Sequence, residues 1–207
     1  MGIEPFTLHG EHVELVPLAP EHVAELTAAA NVDRATYGFT EVPATLDAMD
    51  DYVGRMLAFA AAGEAVPFAQ RRTRDGRIVG CTRFMELRWW RDRAEPDEVE
   101  IGGTWLAADA QRSAINTEAK LLLLTHAFEE WRVVRVALAT DTRNARSRLA
   151  IERIGARYEG TLRHHRRSTV AGESGRPRDT ALFALTDDDW PAVRERLRRS
   201  LRSPTVG

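Results

Sequence analysis

The sequence predicts an α+β domain built on one mixed, mostly antiparallel sheet of about seven strands flanked by helices. Three observations carry that prediction. Three consecutive strand patterns, Val66 to Arg72, Ile78 to Trp90 and Glu98 to Leu106, occupy the middle of the chain, the first two joined by the turn dipeptide Asp75-Gly76. Beyond Leu106 helix and strand patterns alternate, which brings crossovers into the sheet. Finally, 207 residues, 43% of them hydrophobic and without repeats or a low-complexity linker, suit a single domain over residues 1–207 with a sizeable core.

The elements follow in order. His12 to Leu18 alternates as a strand, and Pro20 to Ala30 reads as a helix opened by proline. Thr45 suits the N-cap of a longer helix to about Ala62, with Leu46, Met49, Val53, Met56, Leu57 and Ala60 on one apolar side and Gly63 closing it. Arg91 to Asp97 is a charged loop. Within Glu98 to Leu106, Gly102-Gly103 marks a bulge or a close backbone approach. Asn116 to Trp131 is the clearest helix, with Thr117, Leu121, Leu124 and Phe128 as its core stripe and Glu118 in the dipole-favoured first turn. Val133 to Ala139, nearly all apolar, reads as a central strand. Asn144 to Ile154 forms a helix ended by Gly155, and Ala156 to His165 and Thr180 to Leu185 are late strands around a polar loop. Asp187 to Leu201 closes the domain as an amphipathic helix, and the last few residues are expected to fray.

Composition narrows the function. One cysteine, Cys81, excludes an internal disulfide framework and a cysteine-cluster zinc site, and no histidine or carboxylate spacing suggests a metal. No apolar run has the length of a membrane span, and the first residues lack the pattern of an export signal, so a cytoplasmic protein without membrane partners is expected. The first 70 residues carry eleven acidic side chains against two arginines, leaving the remainder basic; 28 of the 29 basic residues are arginine, with Lys120 the exception. The arginine-rich part lacks the aromatic interleaving of a nucleic-acid surface, and no nucleic-acid partner is expected.

Two strand-to-helix junctions could carry chemistry. The first runs from Glu98 to Thr117, where a glycine-interrupted strand feeds a long helix through AADAQRSAI; the unpaired N–H groups of that helix start, with Gln111, Arg112, Ser113 and Asn116, form a ready anion site. The second is TDTRNARSRLAIERIG, in which Asn144 serves as N-cap, as ligand contact, or as both, while Ser147 taken alone reads as a first-turn solvent residue.

Taken together, LHGEHVELVPL, IGGTWLAADAQRSAINTEAKLLLLTHAFE and TDTRNARSRLAIERIGARYEGTLRHH resemble the GNAT superfamily of acyl-CoA-dependent N-acyltransferases, especially the Rim-type branch of ribosomal-protein N-terminal acetyltransferases. The resemblance implies a V-shaped splay between the fourth and fifth strands, Glu98–Leu106 and Val133–Ala139. It also implies acetyl-CoA as co-substrate, with pantetheine bonded to backbone around Thr104, Trp105 and Leu106. The family's pyrophosphate loop falls on Gln111, Arg112, Ser113, Ala114, Ile115 and Asn116, leading into Thr117. Ala114 and Asn116 replace glycine-like residues there, and a left-handed Ala114 would cost about 1–2 kcal/mol. Asn144 matches the asparagine that contacts pantetheine, and Ser147 the serine placed near the thioester sulfur.

Direct acetyl transfer to a primary amine, on a protein N-terminus or a small molecule, then follows as the expected activity. Backbone N–H groups near Trp105 and Leu106 would polarise the carbonyl. Glu100 is the expected base, with Glu98 on the same strand face as its rival, and Ser147 would supply a proton to the leaving thiolate. The acidic N-terminal third would favour a cationic acceptor. A non-catalytic acyl-CoA-binding or protein-interaction module of the same fold is the alternative, supported chiefly by Ala114. Cys81 reads as a small buried strand residue, His126 as a partly buried helical histidine, and His164-His165 as a solvated edge. Trp105 and Trp131 read as core. Trp89-Trp90 should place one ring outward, where it would suit an acceptor wall or a homodimer contact.

Overall fold

A computed structural model describes residues 3–170, 172–173 and 175–202, so the terminal residues expected to fray lie outside the described residues. Among the described residues, eight strands form one sheet in the order β1-β2-β3-β4-β5-β6-β8-β7. They are β1 (Leu8–His9), β2 (Val13–Pro17), β3 (Ala65–Arg72), β4 (Ile78–Arg88), β5 (Glu98–Leu106), β6 (Arg135–Asp141), β7 (Arg157–Arg167) and β8 (Pro177–Thr186). Five helices accompany them: α1 (Val23–Ala30), α2 (Leu46–Ala61), α3 (Ala114–Thr125), α4 (Ala145–Ile154) and α5 (Trp190–Arg202). The strand absent from the sequence reading is β1, two residues long and too short to show alternation.

Every neighbouring pair is antiparallel except β5 with β6. The core lies between sheet and helices, with Leu15, Leu26, Met49, Phe68, Phe84, Leu123 and Phe183 fully buried. Adjacent residues of a strand point to opposite faces. Thr82 of β4 reaches Lys120 of α3 while Arg83 reaches Met56 of α2, so α2 and α3 lie on opposite faces of the sheet.

Local chemistry explains the helix ends. Thr45 accepts from the Ala48 N–H at 3.3 Å, and Gly155 closes α4 with φ of 116°. Several expectations are corrected. Helix α3 starts at Ala114 rather than Asn116, capped by Ser113, and passes into a π-helical turn over His126–Glu130. Its buried stripe is Ile115, Ala119 and Leu123 in place of Thr117 and Leu121, whereas Leu124 and Phe128 are buried as expected. Glu118 belongs to that buried side. Strand β4 ends at Arg88, so Trp89 and Trp90 escape strand alternation and both face outward, 39% and 59% exposed. Asp97 holds that segment, accepting from the Trp90 and Arg91 N–H groups at 2.6 and 2.8 Å.

Candidate active site

The site is made where the one parallel pair comes apart. β5 and β6 pair only from Glu98↔Arg135 to Glu100↔Ala137; beyond Glu100, β5 continues along β4 and β6 along β8. At the fork β5 is bulged. Cys81 pairs with Trp105 and Arg83 with Gly102, so Gly103 and Thr104 together oppose Thr82. Gly103 sits at φ of 58°, a left-handed backbone that favours glycine, and the Arg83 guanidinium lies where its Cβ would otherwise point, at 2.5 Å. Backbone amide groups of β5 therefore border an opening rather than a neighbouring strand.

A cavity of about 490 Å³ fills the fork. Its floor is Gly102, Gly103 and Thr104 of β5 facing Leu138, Ala139 and Thr140 of β6; Asn144 and Ser147 enter from α4, and Asn116 and Lys120 from α3. Tyr52, Met56 and Phe59 close it from α2, with Arg83, Glu100, Arg166 and Arg178 around the wall. Glu100, Thr104, Asn116, Asn144 and Ser147, distant in sequence, thus share one space. Trp105, Leu106, Gln111, Arg112, Ser113, Ala114, Ile115 and Thr117 do not line it.

The loop before α3 is tied into the fold by the side chains expected to hold phosphate. Gln111 Nε2 donates to the Leu106 carbonyl at 2.8 Å and to Thr36 Oγ1 at 3.2 Å, while its Oε1 accepts from Arg146 of α4 at 2.5 Å. Ser113 Oγ donates to the Ala110 carbonyl and accepts from the Ile115 N–H. The donors left for an anion are the other first-turn N–H groups of α3 and the exposed Arg112. Ala114 is ordinary helix; the left-handed residue is Arg112, at φ of 55°. The strain foreseen at Ala114 falls two residues earlier, because the chain turns before the helix starts.

Asn144 lines the cavity and caps α4: its Oδ1 accepts from the Ser147 N–H at 3.0 Å. The cap also fixes the height of Ser147 in the cavity. Trp105 and Leu106 keep their side chains in the core, and their carbonyls accept from Gln70 and from Tyr37.

Of the two carboxylates expected as base, Glu98 is paired with Arg135 at 3.1 Å and Arg88 at 3.5 Å, away from the cavity lining. Glu100 lines the cavity but takes both Arg166 Nη groups, at 2.8 and 2.7 Å. That bidentate pair raises the Arg166 pKa.

Lys120, which the sequence marked only as the sole lysine, is 5% exposed and lines the cavity. Its Nζ bonds Thr104 Oγ1 at 2.7 Å and Thr82 Oγ1 at 3.4 Å. With hydroxyls and no carboxylate beside it, burial pushes its pKa down to about 7. Its place within a helical apolar run, INTEAKLLLL, was the available signal. Burial also pushes the Tyr52 phenol up and Cys81 up to about 12, so both are neutral. His126 packs against Phe6 at 4.1 Å and Trp131 at 4.7 Å, and burial lowers its pKa.

Comparison with known proteins agrees with this architecture. A GCN5-related N-acetyltransferase from Brucella melitensis superposes with a TM-score of 0.81 at 29% identity, covering 99% of this chain and 88% of that one. RimJ of Mycobacterium smegmatis, solved with CoA-disulfide, shares the fold with a TM-score of 0.77 at 23% identity, over 96% of both chains. A Bacillus subtilis (strain 168) protein named "Putative ribosomal N-acetyltransferase YdaF" is 41% identical over 88 residues, a match spanning 42% of this chain and 45% of that protein. Residues 12–157 match the acetyltransferase (GNAT) domain family. The chain belongs to the GNAT acetyltransferase family.

Proposed function

We propose that the protein is an acetyl-CoA-dependent N-acetyltransferase that transfers acetyl directly to a primary amine. The observation that carries this reading is the single cavity at the β5–β6 fork, which gathers Asn144 and Ser147 on one side and Lys120 and Glu100 on the other. The donor set suits the co-substrate: a free strand edge for an amide-bearing arm, Asn144 Nδ2 beside it, and helix-start N–H groups with Arg112 for a pyrophosphate. Bound there, acetyl-CoA supplies an activated acetyl thioester.

The chain's own residues then divide the work. Attack requires a neutral amine, and Lys120 is the group suited to take its proton, directly or through the Thr104 hydroxyl 2.7 Å away. With a pKa of about 7 it is substantially unprotonated at neutral pH. Glu100, the base expected from sequence, has both oxygens on Arg166 and on this reading positions that arginine. Ser147 Oγ relays a proton from water to the leaving thiolate, taking one as it gives one, a modest demand because a thiolate is only weakly basic.

Calorimetric titration with acetyl-CoA, CoA and dephospho-CoA, followed by thiol-release assays with amines, tests the reading. Saturable one-site binding with amine-dependent thiol release is expected. Binding without release from any amine favours a non-catalytic module, and no binding at millimolar ligand removes the reading altogether.

A further inference from the structure

The charge of the cavity wall does not match that of the segment that closes it. Of the eleven acidic residues in the first 70, only Glu41 lines the cavity. The wall carries the guanidinium groups of Arg55, Arg83, Arg166 and Arg178 against two carboxylates, Glu41 and Glu100. Those carboxylates are already engaged, Glu41 with Arg55 at 3.8 Å and Glu100 with Arg166. Arg83 and Arg178 remain without an ion-pair partner among the described residues.

Each of the two is placed at a cost that a ligand would relieve. Arg83 lies against the bulge at Gly103, and its neighbours, Met56 Sδ at 2.9 Å and the Tyr52 phenol, are uncharged. A thioether is a weak acceptor and the phenol that shares the guanidinium is neutral, so no anion of the protein balances this charge. Arg178 stands directly opposite Arg166 in the β7–β8 pair, an arrangement that like charges disfavour. Its Nε is buried without a hydrogen-bond partner. The nearby carboxylates are Asp141 and Glu100; Asp141 is held by Arg143 at 2.8 Å, and Glu100 by Arg166. Of the expected pyrophosphate donors only Asn116 lines this cavity; Gln111, Arg112 and Ser113 do not.

Resting on the acetyltransferase reading, we infer that the acceptor is a primary amine bearing a carboxylate or phosphate, its anionic group bound at the cavity wall that Arg83 and Arg178 both line. The amine then meets the thioester at the bulge while its anion neutralises the two free guanidinium groups.

The test uses CoA-saturated protein, so that phosphate sites of the nucleotide are filled. Calorimetry compares O-phosphoethanolamine with ethanolamine, and γ-aminobutyrate with butylamine. In at least one pair the charged member should bind more than tenfold tighter, and the pair showing it separates phosphate from carboxylate. Arg178→Met and Arg83→Met, each checked for folding by thermal unfolding, should collapse that ratio to within about twofold of one. Either variant alone suffices if the other fails to fold. Equal affinities within both pairs, no binding of the charged members, or a ratio that survives substitution overturns the inference. Failure of CoA itself to bind would instead overturn the acetyltransferase reading beneath it.

Discussion

Two faces of α3 handle buried charge in opposite ways. Glu118 and Lys120 lie two residues apart and are almost equally buried, 7% and 5% exposed. At about 3.6 residues per turn they project to nearly opposite sides of the helix. Glu118 faces the turn between β1 and β2, where it accepts the N–H groups of Glu11, His12 and Val13 at 2.9, 2.6 and 2.9 Å. Those bonds replace water around the carboxylate and staple the edge of the sheet to the helix. Lys120 faces the cavity with two threonine hydroxyls and, among the described residues, no counter-ion, so burial acts on it unopposed. A buried carboxylate ringed by donors serves the scaffold; an ammonium left with neutral hydroxyls is pushed toward its neutral form.

The comparison breaks most sharply at Glu118. Glu118→Ala leaves three backbone N–H groups without their acceptor, and the unfolding free energy should fall by about 3–4 kcal/mol in a denaturant titration. A loss below about 1 kcal/mol would mean that water replaces the carboxylate freely.

Lys120→Met should do the reverse, raising stability while lowering kcat about a hundredfold. The sign follows from linkage. Between pH 7 and the ordinary lysine range the unfolded chain holds a proton that the folded chain has released, so the burial penalty is full below pH 7 and fades as pH rises. The gain in Tm should therefore be larger at pH 6 than at pH 9. In the parent protein kcat/KM should rise with pH through about 7, and the substitution should remove that limb. If Glu100→Gln removes it instead, the proton goes to the carboxylate.

At the start of α4 the contrast between scaffold and chemistry runs within four residues. Asn144→Ala should cost about 1 kcal/mol of stability through the lost cap and weaken acetyl-CoA binding as well. Ser147→Ala should lower kcat by roughly tenfold with little change in affinity, because only proton return is lost. The opposite split would exchange their roles. The smallest effect belongs to Arg112: Arg112→Gly should relieve its left-handed backbone by about 1 kcal/mol while weakening CoA binding, whereas Ala114→Gly should only destabilise the helix.

The elements of this fold were largely legible in the chain because their signals are local. Thr45 and Gly155 mark helix ends through their own hydrogen bonds and dihedrals, Asp75-Gly76 marks a turn, and Gly102-Gly103 marks the bulge at which the site forms. Asn144 and Ser147 were legible for the same reason, since cap and first turn lie within four residues. Trp89 and Trp90 were misjudged because strand ends depend on partners, and Asp97 rather than local alternation holds them.

What periodicity could not show is which side chains from distant segments meet. Burial alone moves the Lys120 pKa, and that burial comes from α3 packing on β4 and β5. Likewise Arg166 and Arg178 oppose each other only because β7 and β8 pair in one register, and Glu100 is neutralised by an arginine 66 residues away. Net charge counted along the acidic first third pointed to a cationic acceptor, yet the cavity wall takes one acidic residue from that third and four arginines from across the chain. Charge and desolvation act through space, and proximity in space is set by packing rather than by order along the chain.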